Sequence, residues 1–246
     1  MLTNKRKAHI LDCVRREGQA VAKVVAASLG VSEDTIRRDM REMAADGLIT
    51  RVHGGALPLS PELPDLARRQ TIAPTEKAAL AARAVEMILP GQLVFLDGGS
   101  TTAAIASALP GDLTVTIATH SPTIAALLEH YERVEVILIA GRLYKHSMVA
   151  VGSAAAEAID TLRPDIFFMG ATAAHPAHGL TTGDFEEAAI KRRIASRSVA
   201  TYVPLTADKL DRVSPCQILP LEGVTGLILP EGLPGEIAAP YLGVEG

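Results

Sequence analysis

The run Asp97-Gly98-Gly99-Ser100-Thr101-Thr102 places a glycine pair and three consecutive hydroxyls ahead of an Ala-rich stretch. Two glycines let the backbone approach an anion closely, and hydroxyls donate to its oxygens. A helix starting there would add unpaired N–H groups and a favourable dipole. That chemistry suits a phosphate. The run is neither G-x-G-x-x-G nor a Walker loop, since the closing Lys-Ser/Thr is missing, so neither a dinucleotide nor ATP is expected and no cofactor is assigned. The plainer reading of the same residues is a strand-to-helix turn capped by Ser or Thr. A second cluster, Arg37, Arg38 and Arg41, carries guanidinium groups, whose plainer reading is a solvated helix face.

These groups need elements to hold them. Val31 to Met43 opens with Ser32 as an N-cap and has Ile36, Met40 and Met43 at helical spacing, a buried stripe that puts Arg38 near the centre of the opposite face. Arg41 and Thr35 lie to either side of it, with Arg37 nearer the core boundary. Val21 to Leu29 makes a second short helix, joined through Gly30-Val31 as a helix-turn-helix. Leu48 to His53 then alternates as a strand, and Gly54-Gly55 is a hairpin tip, which makes a wing. Cys13 sits with Ile10 and Val14 on the first helix as core.

Prolines 58, 61, 64 and 74 forbid a continuous helix and mark a boundary. The chain is divided into a head (1–57), a Pro-rich linker (58–74) and a body (75–246). In the body, Thr75 can cap a helix running to Leu89. Strands are expected at 93–96, 113–118, 134–139, 166–169, 199–203 and 227–229, with helices near 101–109, 122–130, 153–162 and 185–197. Continuously apolar strands imply an α/β sheet covered on both faces.

The 246 residues are 48% hydrophobic and 21% charged, an ordinary globular composition without a membrane-length apolar run. The N-terminus lacks the pattern of an export signal, and two cysteines make no disulfide framework, so a cytoplasmic protein is expected. With aromatics at 3% and no Trp, a stacking platform for single strands is excluded. Net charge is −4, yet residues 1 to 56 hold 10 Lys/Arg against 7 Asp/Glu, a basic head on an acidic body. The seven His are scattered, and no metal site is expected.

Gly30 to Ala56, with SEDTIRRDMREMAADGLITRVHGGA at its heart, closely resembles the winged helix-turn-helix of DeoR-type bacterial transcription regulators. The likeness continues through FLDGGSTT (95–102), IATHS (117–121), AGRL (140–143), MGAT (169–172), GLTT (179–182) and EEAAIKR (186–192). It implies a sugar-phosphate-sensing body resembling ribose-5-phosphate isomerase, with the ligand at the C-terminal ends of a parallel sheet. Double-stranded operator DNA, a phosphorylated sugar and further copies of the chain, as dimer or tetramer, are then the partners, in a repressor of a carbohydrate operon.

In a major groove, Arg38 and Arg41 would read guanine bidentately, with Arg37 beside them as a further DNA-binding residue. Ser32, Thr35, Lys5, Arg6 and Lys7 would meet phosphate, and Arg51, His53 and Gly54 would belong to the wing. For His53 a hydrogen bond bracing the hairpin is the equal alternative. By the resemblance, Asp97, Gly98, Gly99, Ser100, Thr101 and Thr102 form the effector site, with Thr119, Ser121, Gly170, Glu187, Lys191 and Lys209 as further members. Asp97 would repel phosphate and should face sugar hydroxyls, while residues 100–102 hold the anion. Lys191 would add charge, or pair with Glu187 one turn away; Asp184 and Glu187 also fit a helix cap. Three departures mark the chain: His120 replaces an Asn, Ala140-Gly141 replaces two glycines, and Thr206 stands where the family's Asp-x-x-Lys has its acid. An enzyme with a DNA-binding appendage is the competing reading, with Asp97 and Glu187 as acid and base and Lys191 at an enediolate. The lost acid at Thr206 weighs against it.

Overall fold

A computed structural model describes residues 3–59 and 64–243; of the residues named above, Pro61 lies outside them. The head comprises α1 (Thr3–Glu17), β1 (Ala20–Val21), α2 (Ala22–Leu29) and α3 (Glu33–Ala45), then β2 (Thr50–Val52) and β3 (Gly55–Leu57). Gly30 ends α2 at φ 64°, in the left-handed region that favours glycine. Ser32 caps α3, its Oγ accepting from the Thr35 N–H at 3.2 Å. Ile36, Met40 and Met43 are buried against Ile10, Val14, Val25 and Ile49, as the helical spacing requires. A wing forms, with its turn one residue earlier than expected: His53 and Gly54 make the tip, Gly54 at φ 88°, and Gly55 opens β3 opposite Val52. β1 was not anticipated; it pairs with β3, where a Cβ on Gly55 would stand 2.3 Å from the Ala20 carbonyl oxygen.

The Pro-rich segment is not merely a tether. It contains α4 (Leu66–Gln70), capped by Asp65, whose carboxylate accepts from the Arg68 N–H at 2.9 Å. Pro64 and Pro74 bracket this turn without entering it. Leu66 is buried, and its N–H donates to the His146 carbonyl of the body at 3.1 Å.

α5 (Pro74–Val85) starts one residue before the expected cap: Pro74 occupies the first turn, where its fixed φ suits a helix, and Thr75 caps nothing. There follow β4 (Leu93–Leu96), α6 (Ser100–Ser107), β5 (Val115–Thr119), α7 (Pro122–Leu127) and β6 (Val134–Leu138). The chain continues through β7 (Arg142–Tyr144), β8 (Val149–Val151), α8 (Ser153–Asp160), β9 (Ile166–Phe168), β10 (Ala173–His175) and β11 (Gly179–Thr182). α9 (Phe185–Arg197), β12 (Ala200–Pro204), β13 (Cys216–Leu219) and β14 (Gly226–Ile228) complete the body's main elements.

Six of these strands form a parallel sheet in the order β14-β12-β9-β4-β5-β6. Both faces are covered: Val94 and Leu96 of β4 enter one core, while Phe95 between them enters the other. The chain begins at β4, winds out to β6, returns to the other side of β4 at β9 and winds out to β14. Their connections diverge, so a crevice opens beyond the carboxyl ends of β4 and β9. The antiparallel pieces β7-β8 and β10-β11-β13 flank the sheet. Head and body touch where His175 Nε2 and His178 Nε2 meet the Val14 and Gly18 carbonyls, each at 3.2 Å, and where Arg15 pairs with Asp211 at 3.3 Å.

Candidate functional site

Asp97 follows β4 at the crevice and is fully buried. Its Oδ1 accepts from the Gly98 N–H and His120 Nε2, each at 2.8 Å; its Oδ2 accepts from the Gly170 N–H at 2.7 Å and from Lys191. Those four donors fill the carboxylate's acceptor sites. The expectation that Asp97 faces sugar hydroxyls is therefore corrected: it lies beneath the site and ties together the segments that build it. Burial would raise its pKa, but the charge of Lys191 and the His120 hydrogen bond outweigh that and hold it at about 2. Lys191 is lowered by burial but raised more by Asp97 and Glu187, and stays charged.

His120 is also buried, its Nδ1 against the Ala150 carbonyl at 2.9 Å. The departure at this position acts on Asp97 and does not border the cavity described below. Thr119 and Ser121 are likewise set apart from it. The Thr119 hydroxyl accepts from the Ser121 N–H at 3.1 Å, and the Ser121 hydroxyl donates to the Met148 carbonyl at 2.9 Å, so both brace the loop after β5. An IATHS motif alone cannot show which way these side chains turn.

Above this floor, Gly98 to Thr102 border an inner recess together with Arg69, Gly170, Lys191 and Lys209. A Cβ on Gly98 would meet Val149 at 2.0 Å, and Gly99 enters α6 at φ 155°, so the tight path depends on both glycines. Ser100, Thr101 and Thr102 start α6, and the first N–H groups of a helix have no intrahelical acceptor. Thr101 is buried with its hydroxyl lacking a hydrogen-bond partner. The Thr102 hydroxyl instead donates to the Gly99 carbonyl at 3.0 Å, so this residue can offer an anion its N–H only.

The recess adjoins a cavity of about 290 Å³, small among ligand pockets. Glu187 lies on its wall with its Oε2 accepting from Ser147 and Thr182, each at 3.3 Å, and its Oε1 meeting Lys191 at 3.1 Å. Asp184 also caps α9 through the Glu187 N–H at 2.9 Å, so the capping and site readings of Glu187 both hold. Lys191 pairs with Glu187 one turn away, but buried and shared with Asp97, with less freedom than a surface charge.

Cations dominate the walls: Arg68, Arg69, Lys77, Lys191, Lys209 and Arg212 outnumber Glu187 and Asp208. Lys209 donates to the Ala171 carbonyl at 2.8 Å. Burial, and after it the charge of Arg69, lowers Lys209 to about 8; Lys77 and Lys191 act in the same sense. Burial also lowers Lys77 and Arg69. An anion placed here would relieve all three. Arg69, Lys77, Ser147 and Thr182 had not been singled out as ligand contacts. The only available hint was the Arg68-Arg69 pair amid prolines, which carries no signal for a body contact 78 residues away, as between Arg69 and Ser147.

In the head, Arg38 and Arg41 are exposed on α3, and Arg51 and His53 on the wing. His53 makes no hydrogen bond with any described residue, so the bracing alternative is not what the structure adopts. Arg37 is held by Glu33 at 3.0 and 2.7 Å, and the Ser32 hydroxyl sits 2.8 Å from that of Thr35. Arg6 corrects an expectation: it is buried and grips Asp39 at 2.6 and 3.1 Å, fastening α1 to α3 instead of facing phosphate. Lys7 pairs with Glu42 at 3.0 Å. Among the described residues there is no group of side chains able to hold a metal and no helix long and apolar enough to cross a membrane.

The DeoR-like helix-turn-helix domain matches residues 6–62, and the DeoR C-terminal sensor domain matches residues 72–230, leaving α4 between the two. The HTH-type transcriptional regulator GlpR of Haloferax volcanii is 34% identical over 91% of this chain and 88% of its own. The glycerol-3-phosphate regulon repressor of Haemophilus influenzae is 30% identical over 95% and 92%, and the putative aga operon transcriptional repressor of Escherichia coli O157:H7 is 29% identical over 95% and 88%. Among solved structures, the full-length sorbitol operon regulator of Klebsiella pneumoniae aligns with a TM-score of 0.42 at 11% identity, over 92% of this chain and 96% of that one. Ribose 5-phosphate isomerase A of Methanocaldococcus jannaschii aligns with a TM-score of 0.41 at 20% identity, over 55% and 54%. With a helix-turn-helix head and a sensor-type body both matched, the chain belongs to the DeoR family of transcriptional regulators.

Proposed function

We propose that the protein is a repressor of a carbohydrate operon, released from duplex operator DNA when a small phosphorylated sugar fills the cavity above β4 and β9. One observation carries this reading: the start of α6, with its free N–H groups and the unpartnered Thr101 hydroxyl, faces a recess whose charged walls are mainly cationic. The phosphate sits on Ser100 to Thr102, with Lys209 above and Lys191 below, and the sugar extends toward Glu187 and Thr172. One related protein is named as the repressor of a glycerol-3-phosphate regulon, which supports a small phosphorylated effector. Arg38 and Arg41 read the major groove, and Thr35, Ser32, Arg51 and His53 contact the flanking backbone. Two copies of the chain occupy two half-sites, as one helix-turn-helix reads only one. Asp97, saturated by four donors, has no free lone pair with which to act as the base that the enzyme reading requires of it.

Fluorescence anisotropy on duplex DNA from upstream of the gene, at fixed salt, tests this. Phosphorylated sugars should release the DNA and their unphosphorylated parents should not. Specific binding indifferent to every sugar phosphate would refute the sensing role, and turnover of ribose 5-phosphate would revive the enzyme reading.

A further inference from the structure

Arg69 belongs to neither matched domain. It lies on α4, in the connector that runs from the head to the body, yet it borders the innermost recess beside Gly98 to Thr102. One terminal nitrogen donates to the Ser147 hydroxyl at 3.1 Å and to the His146 carbonyl at 3.5 Å, while its Nε–H is buried without an acceptor. The Thr101 hydroxyl bordering the same recess is likewise buried and unpartnered. Two residues that border one recess from distant parts of the chain thus each carry an unsatisfied donor, and buried donors without partners are rare because each costs free energy. A guanidinium with an open Nε–H matches an oxyanion. The backbone around it is also fixed: buried Lys77 donates to the Arg69 and Ile72 carbonyls, each at 2.5 Å, and Leu66 N–H holds the His146 carbonyl.

We propose that Arg69 is a direct ligand of the effector's anionic group, supplied by the connector, and that through it occupancy of the cavity alters how the head is held. This rests on the reading of the cavity as a phosphorylated-effector site. An anion bridging Arg69 and the start of α6 clamps α4 onto the body. The head, joined to α4 by the chain and to the body through His175, His178 and Arg15, then exchanges one seating for another. The two seatings differ in DNA affinity, and by reciprocity DNA weakens the effector.

The test uses full-length protein, its operator fragment and the sugar phosphate that releases the parent. Direct binding is followed by calorimetry, with inorganic phosphate as a second probe. Arg69→Gln should weaken both ligands about 10- to 100-fold, the range for losing a charge-assisted hydrogen bond, and raise the half-release concentration equally. Circular dichroism and an operator titration without effector, run on each variant, report that it folds. Arg69→Lys should recover only part of the loss, since an ammonium lacks the fork. Hydrogen exchange separates this from a merely structural role: effector should slow residues 64–72 in the parent, and at saturation should slow only residues 97–107 in Arg69→Gln. Unchanged effector affinity in both variants, with 64–72 exchanging faster at all times, would overturn the proposal and leave the effector reading standing. If no sugar phosphate binds the parent at all, that reading falls and this inference falls with it.

Discussion

The head and the body present their functional groups in opposite ways. On the head, Arg38, Arg41, Arg51 and His53 stand exposed on a helix face and a hairpin. In the body, Asp97, His120, Glu187 and Lys191 are buried and interlocked, so no one of them can be removed without leaving another's hydrogen bond or charge unanswered. A surface that must meet a large rigid duplex needs only a scaffold behind independent side chains. A cavity that must hold a small anion away from water needs its supporting charges paired in advance, with open donors only where the ligand binds. Substitutions should therefore separate function from stability in the head and couple them in the body.

The largest break is expected at the floor. Asp97→Asn removes one of the two charges that answer buried Lys191 and should cost up to about 3–5 kcal/mol in urea unfolding, as for a broken buried pair, together with effector response. The pH dependence has a definite sign. Asp97 titrates lower in the fold than unfolded, so its stabilisation is complete above the ordinary value of 3.8 and is lost as pH falls toward about 2. A parent and Asp97→Asn with the same urea midpoint at neutral pH would refute the interlock. Next is Arg38→Ala, which should weaken specific operator binding about 10- to 100-fold, the worth of one bidentate base contact, and relax the preference at one base pair. Its urea midpoint and effector affinity should match the parent. If stability fell as well, the contrast between the two regions would fail.

The same contrast explains what could be read in advance. Ser32, Ile36, Met40 and Met43 act within one helix, so spacing alone placed them, and the strand at 93–96 came out at the residues expected. Asp97 was assigned to the site, yet its role was inverted, because its four donors come from Gly98, His120, Gly170 and Lys191, spread over 94 residues. Linear pattern carries no such information. Arg69 was missed for the same reason, and α4 because prolines at 64 and 74 permit a short helix between them as readily as a loop. The strands β7, β8, β10, β11 and β13 escaped notice since they pair outside the main sheet and most lack the continuous apolar run that marked β4 and β9.

A smaller effect tests the cavity's charge. Lys209 titrates at about 8 in the unliganded fold. An anion stabilises its protonated form and raises that value, so binding takes up a proton above it. Effector affinity should be flat below about pH 8 and fall above it, by at most about tenfold per unit, until the raised value is reached. Calorimetry between pH 6.5 and 9.5 checks this, using a sugar phosphate whose own ionisation is complete near neutrality. Lys209→Met should bind more weakly and lose the decline. A parent profile flat to pH 9.5 would mean that the anion does not approach Lys209.

The smallest effect is expected at Arg37, whose neighbour Arg38 is among the largest in the head. The two are adjacent and chemically identical, but Glu33 one turn earlier holds Arg37 through two nitrogens, while Arg38 lies on the outward face. An exposed pair of this spacing is worth little to stability, so Arg37→Ala should leave the urea midpoint nearly unchanged. A guanidinium already answered by a carboxylate adds little to the field that phosphates feel, so operator affinity should shift by less than about threefold and the salt slope by less than one counterion. Glu33→Gln sharpens the comparison, because releasing Arg37 should strengthen operator binding and steepen the salt slope by about one. Should Arg37→Ala cost as much as Arg38→Ala, with Glu33→Gln silent, then Arg37 leaves Glu33 on the DNA and the ion pair belongs to the free head alone.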